Sequence, residues 1–451
     1  MKALDKEILR LALPSILANL TVPLVGMVDL AIAGHLDGDA ATIIGGISIG
    51  GMLFDILYWS FGFLRAGTGG LTAQAFGRRD QADCGRTLVR GVGAALAISL
   101  VLILLQWPFQ KLCFTFLKSS EGVRELALRY FFIRIWAAPA TLSLMSFRGW
   151  FIGMQDSFSS MCTDLVVNGV NIAASILLSR HIGFDGIAWG TVLAQYAGLV
   201  FALGVIRLKY RHIPFNLKDL HGTFTKGMGK FFSVNSDLFV RSLALVVVYI
   251  SFTSLAASYG DLPLSGATIM MKFLLLFSYF TDGFAYAGEA LTGRFFGERD
   301  AGLVRLTVRQ VFIWSFGVGL MFILLYHLAG SPLISLLTDD LTVREYCSRF
   351  FVWLLPMPLV GCAAFTWDGI FIGATATREM RNSNLAAVAG FFLVYFIGKH
   401  FLPEAGSGSA FFSPETAPVH ILLAAYFTHL LVRSLWQTFA WQGSLRASFP
   451  A

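Results

Sequence analysis

Charge is what this chain has least of. Asp, Glu, Lys and Arg together make up 14% of its 451 residues, where a soluble domain carries roughly 25%. With 56% hydrophobic residues, that shortage excludes a soluble enzyme of two or three domains. Cysteine is also scarce. The five present (Cys84, Cys113, Cys162, Cys347 and Cys362) are odd in number and form no CxxC or Cys/His cluster, so neither a disulfide framework nor a zinc site is expected. The eight histidines form no HExxH and no i, i+4 pair, and the GxSxG at Gly46–Gly50 lies inside an apolar run, not at a strand-to-helix nucleophile elbow. The sequence therefore offers no zinc-peptidase or serine-hydrolase signature, and no enzyme activity or cofactor is expected. Basic residues do not alternate with exposed aromatics, so the formal charge of +7 reads as membrane topology and not as a nucleic-acid surface.

What the chain does have is long apolar runs. Its mean hydropathy is +0.69, and stretches such as 91–107, 243–257 and 312–325 are nearly free of charge. A helix crossing a bilayer needs about 20 mostly apolar residues. The runs predict twelve spans, at 9–35, 43–66, 88–109, 127–153, 160–179, 186–206, 235–258, 265–293, 310–329, 346–373, 384–402 and 417–440. The fold class is thus an all-α polytopic membrane protein whose immediate partner is the lipid bilayer. The N-terminal apolar run is too long for a cleaved signal. Alternate assignment of the loops puts about 20 Lys and Arg on one side and about 6 on the other, so both termini are expected in the cytoplasm and the protein in the inner membrane.

The chain also repeats itself. Leu71–Asp80 aligns with Leu291–Asp300 at an offset of 220, and Gly149–Gly153 meets Gly369–Gly373 at the same offset. Six spans per repeat is an even number, which implies parallel repeats about an axis along the membrane normal. Expected are an N-terminal lobe over 1–206, a cytoplasmic linker over 207–234 and a C-terminal lobe over 235–451. Pseudo-symmetry of this kind serves alternating access in transporters. Positions 148 and 368 pair Arg with Asp at the repeat offset, and positions 78 and 298 pair Arg with Glu. At least one of these pairs, Arg148–Asp368 ahead of Arg78–Glu298, is therefore expected to form a cytoplasmic gate across the lobes in the outward-facing state.

Several short segments resemble the multidrug and toxic compound extrusion (MATE) transporters. They are Leu11–Asn19, Val28–Gly34, Gly69–Gly77 and Arg148–Asp156. Phe277–Leu291 and Asn235–Arg241 resemble more narrowly the DNA-damage-inducible protein F (DinF) branch. The resemblance runs from about residue 8 to 440. It implies a monomeric twelve-helix exporter that exchanges protons or sodium for small amphipathic, often cationic, compounds. A lipid-linked oligosaccharide flippase of the wider superfamily is the alternative. Such flippases carry extra spans and basic cavity residues, whereas here Asp29 marks the first lobe.

Asp29 sits mid-span, where an ionisable group is costly and functional by default. A carboxylate there can exchange a proton instead of keeping a fixed charge. By the resemblance it is the family's first-helix acid, on a helix that members bend near Pro14; Pro23 is a second candidate kink. On the fifth span Asp164, Asn168, Asn171 and Ser175 fall within about 60° on a helical wheel and form one polar face. The family places an asparagine and, four residues later, a carboxylate on this helix. Asn171 fits the first, but Ser175 stands in the carboxylate's place. That weakens a sodium site near Asp29, since hard cations favour several oxygens including carboxylates, and proton coupling is expected. Asp55, Tyr58, Thr191, Gln195 and Glu289 are expected to line the substrate cavity. Asp237 and Arg241, at i, i+4, are expected to pair along their own helix.

Overall fold

The computed structural model describes residues 2–36, 39–116, 120–215, 220–225, 227–401 and 413–449. Among the described residues every regular element is helical, as a bilayer requires of an open chain: lipid offers no hydrogen bonds, so the backbone must satisfy itself within each helix.

The first half comprises α1 (Lys2–Gly34), α2 (Ala40–Ser60), α3 (Phe63–Gly77), α4 (Gln81–Leu104), α5 (Gln106–Phe116), α6 (Glu121–Arg134), α7 (Ala138–Gly153), α8 (Ser157–Ile182), α9 (Phe184–Lys209) and the short α10 (Leu220–Thr225). The second comprises α11 (Met228–Ser258), α12 (Asp261–Glu298), α13 (Ala301–Ser335), α14 (Leu341–Ser348), α15 (Pro356–Gly373), α16 (Thr377–His400) and α17 (Ala417–Ser448). Among the described residues, eleven helical stretches are long and apolar enough to cross a membrane. The twelfth span is α14–α15, interrupted by a 3-10 segment at Phe351–Leu354. Its repeat counterpart, α6–α7, is interrupted at Ile135–Ala137. The expected spans 127–153 and 346–373 are therefore each built from two helices, and 43–66 likewise joins α2 to the start of α3.

The repeat is preserved down to its turns. Among the described residues, the non-glycine residues with positive φ are Arg79, Gln155, Arg299 and Thr375, two pairs at the offset of 220. Each ends a helix in the same way. The amide of Asp80 donates to the carbonyl of Ala75 at 3.0 Å, Asp156 to Phe151 at 2.8 Å, Asp300 to Phe295 at 3.0 Å and Ala376 to Phe371 at 3.0 Å. These six-to-one bonds satisfy carbonyls that the helix end would orphan. Three of the four turns then start the next helix with an aspartate cap: Asp80, Asp156 and Asp300 accept from the amides of Asp83, Ser159 and Leu303.

Glycine fixes how closely the helices approach. A Cβ on Gly149 of α7 would overlap the carbonyl oxygen of Arg65 on α3, and one on Gly153 would lie 2.6 Å from that of Gly69. At the repeat offset, Gly369 and Gly373 of α15 press equally on the carbonyls of Ala285 and Glu289 on α12. This is the small-xxx-small device that lets membrane helices pack backbone to backbone.

The chain divides into two compact units, residues 13–235 and residues 1–12 with 236–451. The expected boundaries differ from this in two places. The start of α1 goes with the second unit, where Asp5 accepts from Trp314 Nε1 at 3.2 Å and Glu7 lies 3.6 Å from Arg294. The linker 207–234 goes with the first, through Arg90 Nε donating to the Thr223 carbonyl at 2.8 Å and Lys230 donating to Gln74 at 3.1 Å. Residues 216–219 and 226 of that linker, and residue 402 of the expected eleventh span, lie outside the described residues.

Candidate ion-coupling site

In the first unit the polar face of α8 meets three different helices. Asp164 forms an ion pair with Arg148 Nε of α7 at 2.6 Å. One turn on, Asn168 Nδ2 donates to Thr21 Oγ1 of α1 at 2.6 Å. Asn171 Nδ2 donates to Thr191 Oγ1 of α9 at 3.1 Å, and Thr191 in turn donates to the Ile187 carbonyl at 3.3 Å. Ser175, fully buried, lies beside the carboxylate of Asp29.

Asp29 is 8% exposed. Its Oδ1, like Ser175 Oγ and Asn171 Oδ1, is a buried oxygen with no hydrogen-bond partner. Asp29 and Ser175 are thus neighbours in a buried place, with Asn171 one turn before Ser175 on the same face of α8. Helix α1 carries both Pro14 and Pro23 internally. Each removes one helical hydrogen bond and crowds the carbonyl four residues earlier, so α1 is softest on the way to Asp29. Thr21 Oγ1 donates to the Ala18 carbonyl at 2.7 Å within this stretch.

One residue of this site was not singled out by the sequence. Arg134 ends α6, at the break before α7. Its Nη1 donates to the Tyr130 hydroxyl at 3.1 Å, and its guanidinium lies over the Phe54 ring at 4.8 Å from the centroid. Its charge acts on the carboxylates of Asp29 and Asp55 and on Tyr58 and Tyr130. Arg134 falls inside the expected span 127–153, and only the fold brings it to the acids. The available clue was a charge within an apolar run.

The other expected cavity residues are scattered. Asp55 is exposed, whereas Tyr58 is buried, its ring tilted against that of Phe54 with centroids 5.5 Å apart. Gln195, on α9 one turn beyond Thr191, has a buried Oε1 with no hydrogen-bond partner. Glu289 is fully buried on α12, in the second unit, against Gly373.

Each of the four expected gate residues has a partner within its own unit. Arg148 takes Asp164. Asp368 accepts from Arg241 and from Arg433 Nη2, the latter at 2.6 Å. Arg78 pairs with Asp83 at 2.7 Å, and Glu298 with Arg294 one helical turn away at 2.9 Å. The reason is proximity: each charge has an opposite charge on its own helix, the next element or a packed neighbour. The expected pairing of Asp237 with Arg241 is corrected. Asp237 binds Arg381 at 2.6 Å and Thr377 at 3.1 Å, both on α16.

Outside the spans, Asp156 anchors the turn between α7 and α8. Burial works against its charge. Lys209 Nζ at 2.6 Å, Ser159 Oγ at 2.6 Å and the Tyr210 hydroxyl at 2.6 Å outweigh that and hold its carboxyl below the usual range. Burial and the neighbouring Asp156 push the Tyr210 phenol up.

Two six-span units built on one repeat, with an isolated acid buried in the first, define a multi-pass membrane transporter. The chain belongs to the MatE family, whose profile matches residues 14–177 and 238–396. It is 36% identical over 406 residues to DNA damage-inducible protein F of Escherichia coli K12, covering 88% of each chain. It is 24% identical to a probable multidrug resistance protein NorM of Caulobacter vibrioides, over 83% of this chain and 79% of that one. Its fold matches a solved outward-facing multidrug resistance MATE family transporter of the MOP superfamily with a TM-score of 0.85, at 16% identity over 99% and 97% of the two chains.

Proposed function

We propose that this protein is a proton-driven exporter of small amphipathic, often cationic, compounds, working by alternating access as a monomer in the inner membrane with both termini in the cytoplasm. The observation that carries the reading is the buried Asp29 carboxylate with Ser175 beside it. A sodium ion placed there would find one carboxylate and neutral oxygens from Asn171 and Thr191, and it would meet the charge of Arg134 as well. Like charges repel more strongly at a partly buried site than in water, because the local dielectric is lower. A proton needs only the carboxylate. Asn168 with Thr21, and Asn171 with Thr191, tie α8 to α1 and α9 on either side of Asp29. Protonation there can thus change how three helices are held.

The names of the relatives, with multidrug resistance among them, support export of drugs or metabolites. Arg134 is the one feature favouring the flippase alternative, and the twelve spans weigh against it. Reconstitution in proteoliposomes separates the readings. Efflux of a fluorescent organic cation should follow an imposed pH gradient at constant sodium and stop when a protonophore collapses it. Efflux that persists without the pH gradient and follows sodium would overturn the proton reading. Translocation of a lipid-linked oligosaccharide in place of the dye would favour the flippase.

A further inference from the structure

The second unit contains a charge cluster that the repeat does not account for. Asp368 of α15 accepts hydrogen bonds from Arg241 of α11, from Arg433 of α17 and from Gln437 Nε2, the last at 3.2 Å. Two guanidinium groups share one carboxylate, leaving one net positive charge. His429 and Tyr426 also lie within electrostatic reach of Arg433, and neither supplies a negative charge at neutral pH. The site is deep. The side chain of Arg433 is 3% exposed and that of Asp368 11%, and Arg433 lies near the middle of a 32-residue helix. Nε of Arg241, Nε of Arg433 and Oε1 of Gln437 are all buried without a hydrogen-bond partner.

An unbalanced charge in mid-membrane is costly unless something compensates it. The equivalent position of the first unit needs no such compensation. There Arg148, the repeat counterpart of Asp368, is neutralised one-to-one by Asp164. Asn384 occupies the place of that acid in the second unit and turns back to the Met380 carbonyl at 2.8 Å. Asp237 and Arg381, the neighbouring pair, also balance. The excess charge is thus local, and the two free Nε–H donors are suited to an acceptor oxygen with negative charge. An aromatic ring, Phe365, lies 5.8 Å from the Arg433 guanidinium.

We infer that Arg241, Arg433 and Gln437 form an oxyanion site in the second unit, one that binds the carboxylate or phosphate of an amphipathic molecule with its apolar part against Phe365. The transporter then accepts anionic or zwitterionic compounds as well as cations. The same chemistry belongs to a solute's carboxylate and to the headgroup of an anionic lipid.

The test uses full-length protein in a neutral detergent, with 2-naphthoate and its uncharged isostere 2-naphthamide as probes. Wild type should bind the naphthoate at least about tenfold tighter than the amide. Arg433→Gln and Arg241→Gln should abolish that preference. Asp368→Asn should widen it, because the carboxylate that competes for the guanidinium groups is gone. A purely structural cluster predicts no such opposite signs. Thermal unfolding without ligand identifies any variant that fails to fold, and the three sites give independent readings. Equal binding of the two probes to wild type, or a preference unchanged in a folded Arg433→Gln, overturns the site. Native mass spectrometry then identifies the source. Phosphatidylglycerol retained by wild type but not by Arg433→Gln, and displaced by naphthoate, supports the site with a lipid as its anion. Naphthoate binding without retained lipid supports it with a solute.

Discussion

Asp29 and Arg134 set the chemistry of the first unit at the scale of single residues. Neither is informative alone. A buried acid suits sodium, a proton or an organic cation, and in the proposed reading the guanidinium charge acting on it disfavours a second fixed cation. It follows that wild-type protein should show no saturable sodium binding when sodium replaces choline at constant ionic strength. The double variant Arg134→Gln with Ser175→Asp should show it, since it removes the competing charge and restores a second carboxylate beside Asp29. Calorimetric titration measures both. Sodium binding to wild type as tight as to the double variant would mean that Arg134 does not exclude the ion.

Among the elements, the turns and the glycine contacts explain why the two units share a plan despite their sequence divergence. Gly149 and Gly369 let α7 and α15 lie on backbone carbonyls, and nothing larger fits without moving a helix. Gly149→Ala and Gly369→Ala should each destabilise their unit by about 1–3 kcal/mol, the usual cost of overpacking. Alanine at Gly169 or Gly204, where a Cβ meets nothing within 4 Å, should be near neutral. Thermal unfolding in detergent gives the comparison, and equal midpoints for all four variants would contradict it.

Asp156 belongs at the same scale, since it caps α8 and joins it to Lys209 and Tyr210 after α9. Its carboxyl is held below its unfolded value, so its stabilising effect is complete above the unfolded value near 4. The effect is lost as pH falls through the lower folded value. Asp156→Asn should therefore lower stability by about 1–3 kcal/mol at neutral pH. The gap from wild type should close as the pH drops below about 4. A gap that stays constant across that range would mean that the carboxylate's charge contributes nothing.

The molecule as a whole shows which of its features a sequence can display. Spans are legible because each is a local apolar run. The repeat is legible because its turns demand the same residues twice: Gly-Arg-Arg-Asp at 77–80 and Gly-Glu-Arg-Asp at 297–300 build the same left-handed stop and aspartate cap. The polar face of α8 is legible from helical periodicity. Charge partners are not, because Arg241 reaches Asp368 across 127 residues while Asp237, one turn away on its own helix, takes Arg381. Arg134 was hidden for the same reason. The affiliation of the first twelve residues with the second unit depends on Trp314 and Arg294, about 300 residues on, and no local pattern carries it.

The central claim is that Asp29 gives up a proton when a cationic compound binds, and proton release measures it most directly. Purified protein in weakly buffered detergent solution at fixed pH is mixed with a saturating organic cation, and the acidification is read with a pH indicator. The account predicts close to one proton released per bound cation by wild type at a pH where Asp29 is protonated, and none by Asp29→Asn, whose amide keeps the size of the acid and should leave thermal unfolding unchanged. Equal proton release by the two proteins would contradict it.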